Sequence, residues 1–232
     1  MPKDFSLANL YKDLGYIILG TYVHEVLFGL CPPRDDLTVL EAGCGSGKFG
    51  LRYALFGANV LCFDIDPQVI EYAERLRMAL GHLRGDGVGE VVMTVDSILD
   101  MRYLQSTHVW KDWDKTFSVK DLALPEQWDL VFNEGVPQHF PDDETRQKCI
   151  NEMTRVSKGL VVVIGNNGLN PQEQEIDRTF NFGYMGMPPR RRCFTPDELT
   201  DKLKKAGLAG VKCQPLGANW QDATLFAGWG ST

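Results

Sequence analysis

The stretch that most constrains this chain is Val39-Leu40-Glu41-Ala42-Gly43-Cys44-Gly45-Ser46-Gly47-Lys48-Phe49-Gly50, an apolar run that leads into three alternating glycines. It reads as a buried strand, a sharp turn and then a helix. A glycine in such a turn has no Cβ, so the backbone bends tightly and a ligand can approach it closely. The turn therefore predicts an α/β fold and a bound ligand without choosing the ligand. Read from Gly45, the run Gly45-x-Gly47-x-x-Gly50 also matches the dinucleotide spacing, with Asp64 roughly 20 residues on, where a ribose-binding acid is expected. A phosphate-binding P-loop is excluded, because Phe49 follows Lys48 and the glycine-to-lysine spacing fails.

Around this turn, element types alternate. Short apolar runs rich in β-branched residues recur at residues 38–42, 60–63, 91–95, 130–132 and 160–164, each suited to a strand buried on both faces. The clearest helix follows Asp66-Pro67, an N-cap and a first helical residue, and places Val69, Ala73, Leu76 and Leu80 on one face. A second opens on Thr195-Pro196-Asp197-Glu198, a capping box, and stops at Gly207. Strands separated by helices require crossover connections and a mostly parallel sheet. Residues 5–30 read as one or two helices, with Leu7, Leu10, Leu14, Ile17 and Ile18 as a stripe interrupted by Gly15 and Gly20. Residues 105–127, which carry Trp110, Trp113 and Phe117, and residues 166–194 are long for connections, and serve either as binding loops or as packing decoration.

Composition narrows the function classes. The 232 residues, 44% apolar and 24% charged, carry no repeat and no linker, so one domain over 1–232 is expected. No run approaches the roughly 18 apolar residues of a membrane span, and the start lacks a basic region followed by an apolar one. The six cysteines form no C-x-x-C pair and read as reduced thiols in a cytoplasmic protein. A net charge of −7 and a pI near 5.1 argue against nucleic acid or anionic lipid as partner, since both need a basic face. The four histidines are far apart in sequence and no ligand spacing is present, so no metal is expected.

The motifs in order resemble the class I S-adenosylmethionine-dependent methyltransferases. Glu41, Gly43, Gly45 and Gly47 match that family's acid-x-Gly-x-Gly-x-Gly pattern, and Phe63-Asp64-Ile65-Asp66-Pro67 matches its second strand ending in an acid. Val95-Asp96-Ser97 matches the acid beside the adenine, and Trp128-Asp129-Leu130-Val131-Phe132-Asn133-Glu134-Gly135 the fourth strand, which leads to His139-Phe140. Phe194 to Leu199, with Lys204 to Leu208, matches the last helix. The resemblance runs from Leu37 to the C-terminus. It implies a three-layer αβα Rossmann-like fold whose seven-stranded, mostly parallel sheet has its last strand antiparallel, with residues 211–215 and 224–229 as the final two strands. It also implies an N-terminal helical cap (1–34), a cofactor-binding half (35–165) and a substrate-side half (166–232).

S-adenosylmethionine presents ribose hydroxyls, an adenine amine, an ammonium and a sulfonium, and carboxylates suit the first three. The resemblance thus gives Asp64 the ribose, with Ile65 beside it, and gives Asp96 the adenine amine, with Ser97 nearby. Glu41 either assists the ammonium or braces the glycine turn; Cys44 lies within that turn, and Asn133 contacts the methionine part. His139 is the candidate base, and Glu134 a second catalytic candidate that orients the acceptor. Tyr11 and Tyr22 lie with Tyr16 and His24 in the helical region that closes over the cofactor in similar enzymes, and are candidate substrate contacts. Arg190, Arg191 and Arg192 fall where the family builds its acceptor pocket. Their planar forks suit a carboxylate or phosphate, which points to a small acidic acceptor. The protein is expected to act as a monomer or homodimer.

Three other functions share parts of this pattern. An NAD-dependent oxidoreductase fits the glycine spacing but lacks a visible substrate domain and a Tyr-x-x-x-Lys pair. An RNA methyltransferase shares the fold but needs a basic stripe and a Pro-Pro-Tyr or Pro-Cys motif where Asn133-Glu134-Gly135-Val136 stands. A non-catalytic partner-binding module would tolerate loss of the glycines or Asp64, and both are intact.

Overall fold

Strands form where the apolar runs predict them, because a segment buried on both faces has no polar face to present to water. A computed structural model describes residues 6–84, 89–101, 109–112, 115–117, 125–140, 142–179 and 193–232. Two helices, α1 (Leu7–Leu19) and α2 (Tyr22–Leu30), precede β1 (Thr38–Ala42), α3 (Lys48–Leu55), β2 (Asn59–Asp64), α4 (Pro67–Arg84) and β3 (Val91–Val95). Then come β4 (Val109–Asp112), β5 (Lys115–Phe117), β6 (Trp128–Glu134), a 3₁₀ turn (Pro137–His139), α5 (Asp143–Arg155) and β7 (Ser157–Asn166). The chain closes with α6 (Pro171–Thr179), α7 (Pro196–Lys205), β8 (Ala209–Pro215) and β9 (Leu225–Ser231).

The chain divides into two compact units between Leu130 and Val131, so β6 begins in the first and ends in the second. In the first, the strand order is β5-β4-β3-β2-β1. β1 pairs with β2 and β2 with β3 in parallel, while β4 joins β3, and β5 joins β4, antiparallel. The backbone N–H and hydroxyl of Thr38 donate to Asp129 Oδ2 at 3.0 and 2.7 Å, fastening β1 to the opening of β6. Helices α3 and α4 pack on this sheet, and α1 packs on both of them. Val69, Ala73, Leu76 and Leu80 are all buried, as the helical spacing requires. Asp66 accepts from Gln68 N–H and caps α4.

In the second unit the order is β6-β7-β9-β8, with β9 antiparallel to both β7 and β8. Val161, Val162, Val163, Ile164, Phe132 and Phe226 are fully buried, and each such side chain contributes about 1.5–3 kcal/mol of burial. Thr195 and Glu198 form the expected capping box on α7, and Gly207 follows the helix with φ +90°.

The fold is thus the expected α/β one, with flanking helices and an antiparallel last strand, and the 105–127 connection adds to it. The seven expected strands are β1, β2, β3, β6, β7, β8 and β9, and among the described residues the β4–β5 hairpin from the long 105–127 connection adds two short strands beside β3. The final strands also reach further than the apolar runs, since Ala209 pairs with Ser231 and Gly230 with Val161 outside those runs.

Candidate functional site

The glycine turn is held by carboxylates from two strands. Gly43, Gly45 and Gly47 all take positive φ, at +69°, +54° and +72°, a conformation that L side chains rarely adopt. Gly47 is the N-cap of α3, which places the helix start at the mouth of the turn. From β1, Glu41 is 1% exposed and its Oε2 accepts from Gly50 N–H at 2.8 Å and from the Cys62 thiol at 3.6 Å. Gly50 has to be glycine here, because a Cβ would stand 2.8 Å from that oxygen and 2.6 Å from Cys62 Sγ. Glu41 thus sets a carboxylate on the first turn of a helix, where the dipole favours it. The Cys44 thiol is buried and donates to its neighbour Gly45 O at 3.6 Å, and burial raises its pKa. Cys44 N–H donates to Phe63 O at 2.7 Å, tying the turn to β2.

Asp64 at the end of β2 is committed in a similar way. Its Oδ2 accepts from Gly45 N–H at 3.0 Å and its Oδ1 from Asp66 N–H at 3.1 Å, so one carboxylate joins the glycine turn to the turn that starts α4. Each oxygen keeps a second lone pair. Ile65 beside it is 71% exposed, and Val95 at the end of β3 is also exposed. Asp96 N–H donates to Asp64 O at 3.1 Å, which brings Asp96 and Ser97 to the same strand ends. Asp96 Oδ1 accepts from Ser97 N–H at 2.7 Å, and Ser97 Oγ accepts from Leu99 N–H. The first unit therefore gathers the glycine turn, Asp64, Ile65, Asp96 and Ser97 at the carboxyl ends of its parallel strands.

The second unit carries Asn133, Glu134 and His139. Asn133 is fully buried, with Nδ2 at 2.8 Å from Met153 Sδ on α5, so its side chain packs against that helix. Glu134 is half-buried and His139 exposed. The turn that bears His139 is fastened at three points: Gly135 N–H to Ile164 O at 2.8 Å, Gln138 to Asn166, and Arg146 Nε to Phe140 O at 3.0 Å. Gln138 Nε2 donates to Asn166 Oδ1 and Gln138 Oε1 accepts from Asn166 N–H, both at 2.9 Å. Asn166 Nδ2 in turn donates to Glu173 Oε2 at 2.5 Å. The guanidinium of Arg146 lies 5.3 Å from the Phe194 ring centre, a cation–π contact. Gln138, Asn166, Glu173 and Arg146 escaped the sequence reading. The one available signal was polar side chains placed directly at the end of an apolar strand, in Gly165-Asn166-Asn167-Gly168.

The N-terminal candidates separate by exposure. Tyr11 and Tyr22 are 71% and 50% exposed, whereas His24 is 1% exposed and belongs to the packing of α2. Burial lowers the pKa of His24 to about 4, so it is neutral at physiological pH. Arg190, Arg191 and Arg192 lie outside the described residues. Among the described residues no group of three or more His, Cys, Asp or Glu is placed to hold a metal, and no helix is long and apolar enough to cross a membrane.

Comparison with known proteins agrees with this arrangement. Residues 33–207 match the methyltransferase domain family. The malonyl-[acyl-carrier protein] O-methyltransferase of Pectobacterium atrosepticum is 34% identical over 88 residues, covering 38% of this chain and 34% of that protein. The chain thus aligns with about a third of that relative's length. A ubiquinone biosynthesis O-methyltransferase of Cereibacter sphaeroides is 24% identical over 198 residues, covering 81% of this chain and 68% of that protein. Among solved structures, the magnesium protoporphyrin IX methyltransferase of Synechocystis, crystallised with S-adenosylhomocysteine, superposes with a TM-score of 0.59 at 15% identity. That superposition covers 100% of this chain and 90% of that one and shows the shared fold. The chain belongs to the methyltransferase domain family, within the class I S-adenosylmethionine-dependent methyltransferases.

Proposed function

We propose that this chain, acting as a single methyltransferase domain, moves the methyl group of S-adenosylmethionine to an oxygen of a small acidic acceptor. The observation that carries the proposal is Asp64, whose carboxylate is fixed on Gly45 N–H at 3.0 Å beside an exposed Ile65. An added Cβ at Gly45 would meet no atom within 4 Å, so the turn opens onto free space on that side. A ribose with two donor hydroxyls and an apolar-faced adenine fit a fixed acceptor flanked by Ile65 and Val95. Asp96, next to Ser97, suits the adenine amine. Bound there, S-adenosylmethionine supplies a methyl group activated by its sulfonium.

The chain's own residues then position and deprotonate. In-line attack requires the acceptor oxygen behind the methyl carbon; the carbon–oxygen bond forms as the carbon–sulfur bond breaks, and neutral S-adenosylhomocysteine leaves. A carboxylate acceptor needs no base, while a phenol or alcohol must lose a proton. His139 takes that proton in the second case, with Glu134 orienting the acceptor. Asn133 acts from beneath, shaping the end of β6 rather than touching the cofactor. Tyr11, Tyr22 and Arg190 to Arg192 are proposed as acceptor contacts, the arginines for its acidic group. Relatives named malonyl-[acyl-carrier protein] O-methyltransferase and ubiquinone biosynthesis O-methyltransferase favour oxygen as the methylated atom.

The test is transfer of radiolabelled methyl from S-adenosylmethionine to a panel of small carboxylic acids, phenols and amines. Labelled ester or ether with an acidic acceptor, reduced by joint substitution of Arg190, Arg191 and Arg192 with Ala, is the expected result. Label confined to amines, or unaffected by that substitution, would overturn the acceptor class. His139→Ala should cut turnover on phenols 100-fold or more and leave carboxylates nearly unchanged.

A further inference from the structure

The joint between α1 and α2 is fastened to α3, the helix that starts at the glycine turn. Arg52 on α3 donates from Nη1 to Ile17 O at 2.5 Å and to Ile18 O at 2.9 Å, capping the last turn of α1 with a cation where the helix dipole favours one. The chain then turns at Gly20 with φ +86°, and any Cβ there would lie 2.8 Å from Arg52 Nη2. The same guanidinium lies over the rings of Phe28, on α2, and Phe56, at 5.6 and 5.4 Å.

Thr21, the residue after Gly20, opens a capping box in which His24 replaces the Glu or Gln usual at the third helical position. Its Nδ1 accepts from Thr21 N–H at 2.9 Å, which leaves the proton on Nε2, 3.4 Å from Lys48 O. Its ring packs on Phe49 with centroids 4.9 Å apart. Lys48 and Phe49 are the first two residues after Gly47. The first turn of α3 is therefore gripped from the strand side by Glu41 on Gly50 N–H and from the helix side by His24 on Lys48 and Phe49.

We propose that Arg52 and His24 are positioning residues that make ligand capture at the glycine turn conditional on docking of the α1–α2 pair against α3. The proposal rests on that turn being the S-adenosylmethionine site. Affinity falls in proportion to the fraction of molecules whose turn is competent, and the linkage is reciprocal: a ligand that prefers the docked state also stabilises docking. The buried, neutral imidazole is suited to the task, because protonation would remove the acceptor that Thr21 uses and place a third cation beside Arg52 and Lys48.

The experiment is calorimetric titration of the full chain with S-adenosylhomocysteine, paired with amide exchange, on wild type, Arg52→Lys, His24→Asn and His24→Gln. Asn offers an acceptor to Thr21 but does not reach Lys48; Gln reaches Lys48 with a donor. Arg52→Lys and His24→Asn should weaken binding about five- to twentyfold, and His24→Gln should stay within about twofold of wild type. In wild type the ligand should slow exchange across α1 and α2 as well as at the glycine turn. Wild-type affinity in Arg52→Lys and His24→Asn, or equal losses in His24→Asn and His24→Gln, would overturn the proposal. So would ligand protection confined to residues 43–50. Failure of the wild type itself to bind S-adenosylhomocysteine would remove the cofactor site and this proposal with it.

Discussion

The two units hold their functional turns by different means. In the first, carboxylates grip backbone amides: Glu41 holds Gly50, and Asp64 holds Gly45 and Asp66. In the second, polar side chains grip one another: the Gln138 amide holds Asn166, and the Asn166 amide holds the Glu173 carboxylate. A carboxylate on backbone N–H groups works whatever the neighbouring side chains are, and suits a ligand that stays constant. A chain of side-chain contacts depends on three identities at once, and suits a turn whose exposed residue, His139, is the one proposed to meet the acceptor. The second arrangement is easier to alter without disturbing the first.

The contrast is broken most directly at Glu41. Glu41→Ala leaves the buried Gly50 N–H without its partner and removes a charge-assisted bond, so about 3 kcal/mol of stability should be lost, seen as a lower denaturant midpoint. Acid attacks the same unit at His24. Its pKa is near 4 when folded against the ordinary 6.5, so the unfolded chain binds the extra proton first. That stabilisation is complete above pH 6.5 and is lost as pH falls from 6.5 to 4, by roughly 2–3 kcal/mol. Thermal melts should show wild type falling across that range relative to His24→Gln, which has no group to titrate there.

Asn166→Ala sharpens the comparison from the other side. It breaks the bonds to both Gln138 and Glu173 and should cost about 2 kcal/mol, with turnover on an accepted substrate down roughly tenfold. S-adenosylhomocysteine affinity, measured by calorimetry, should remain within about twofold. The smallest effect is expected at the exposed Arg75–Glu71 pair on α4, where Glu71→Gln should change stability by no more than about 0.5 kcal/mol in the same denaturant assay.

How far these features could be read from sequence follows the same division. The strands of the first unit and α4 were legible because their signals are local: an apolar run, a glycine triplet, Asp66-Pro67 and a period of three to four. α7 announced itself by Thr195 and Glu198. The capping box of α2 did not, because His24 stands where Glu or Gln is the recognisable residue. The β4–β5 hairpin passed unnoticed since nothing in residues 105–127 alternates cleanly. α5 carries an Asp142 N-cap and acidic first-turn residues, yet of its buried residues Cys149, Ile150 and Met153 are apolar while Arg146 is charged. The network of Gln138, Asn166 and Glu173 joins residues 28 and 7 positions apart, a proximity that no local pattern encodes. Glu41 was recognisable beside the glycines, but its bond to Gly50 N–H, 2.8 Å away and nine residues on, was not.

The central claim is that Asp64 and the glycine turn hold the adenosyl cofactor. Its most direct measurement is calorimetric titration of wild type and Asp64→Ala with S-adenosylhomocysteine and with NAD. Saturable binding of S-adenosylhomocysteine alone, weakened tenfold or more by the substitution, is the predicted result, since a lost hydrogen bond to a charged group is worth about 1.5–3 kcal/mol. Saturable binding of NAD instead, or S-adenosylhomocysteine binding indifferent to Asp64, would contradict it.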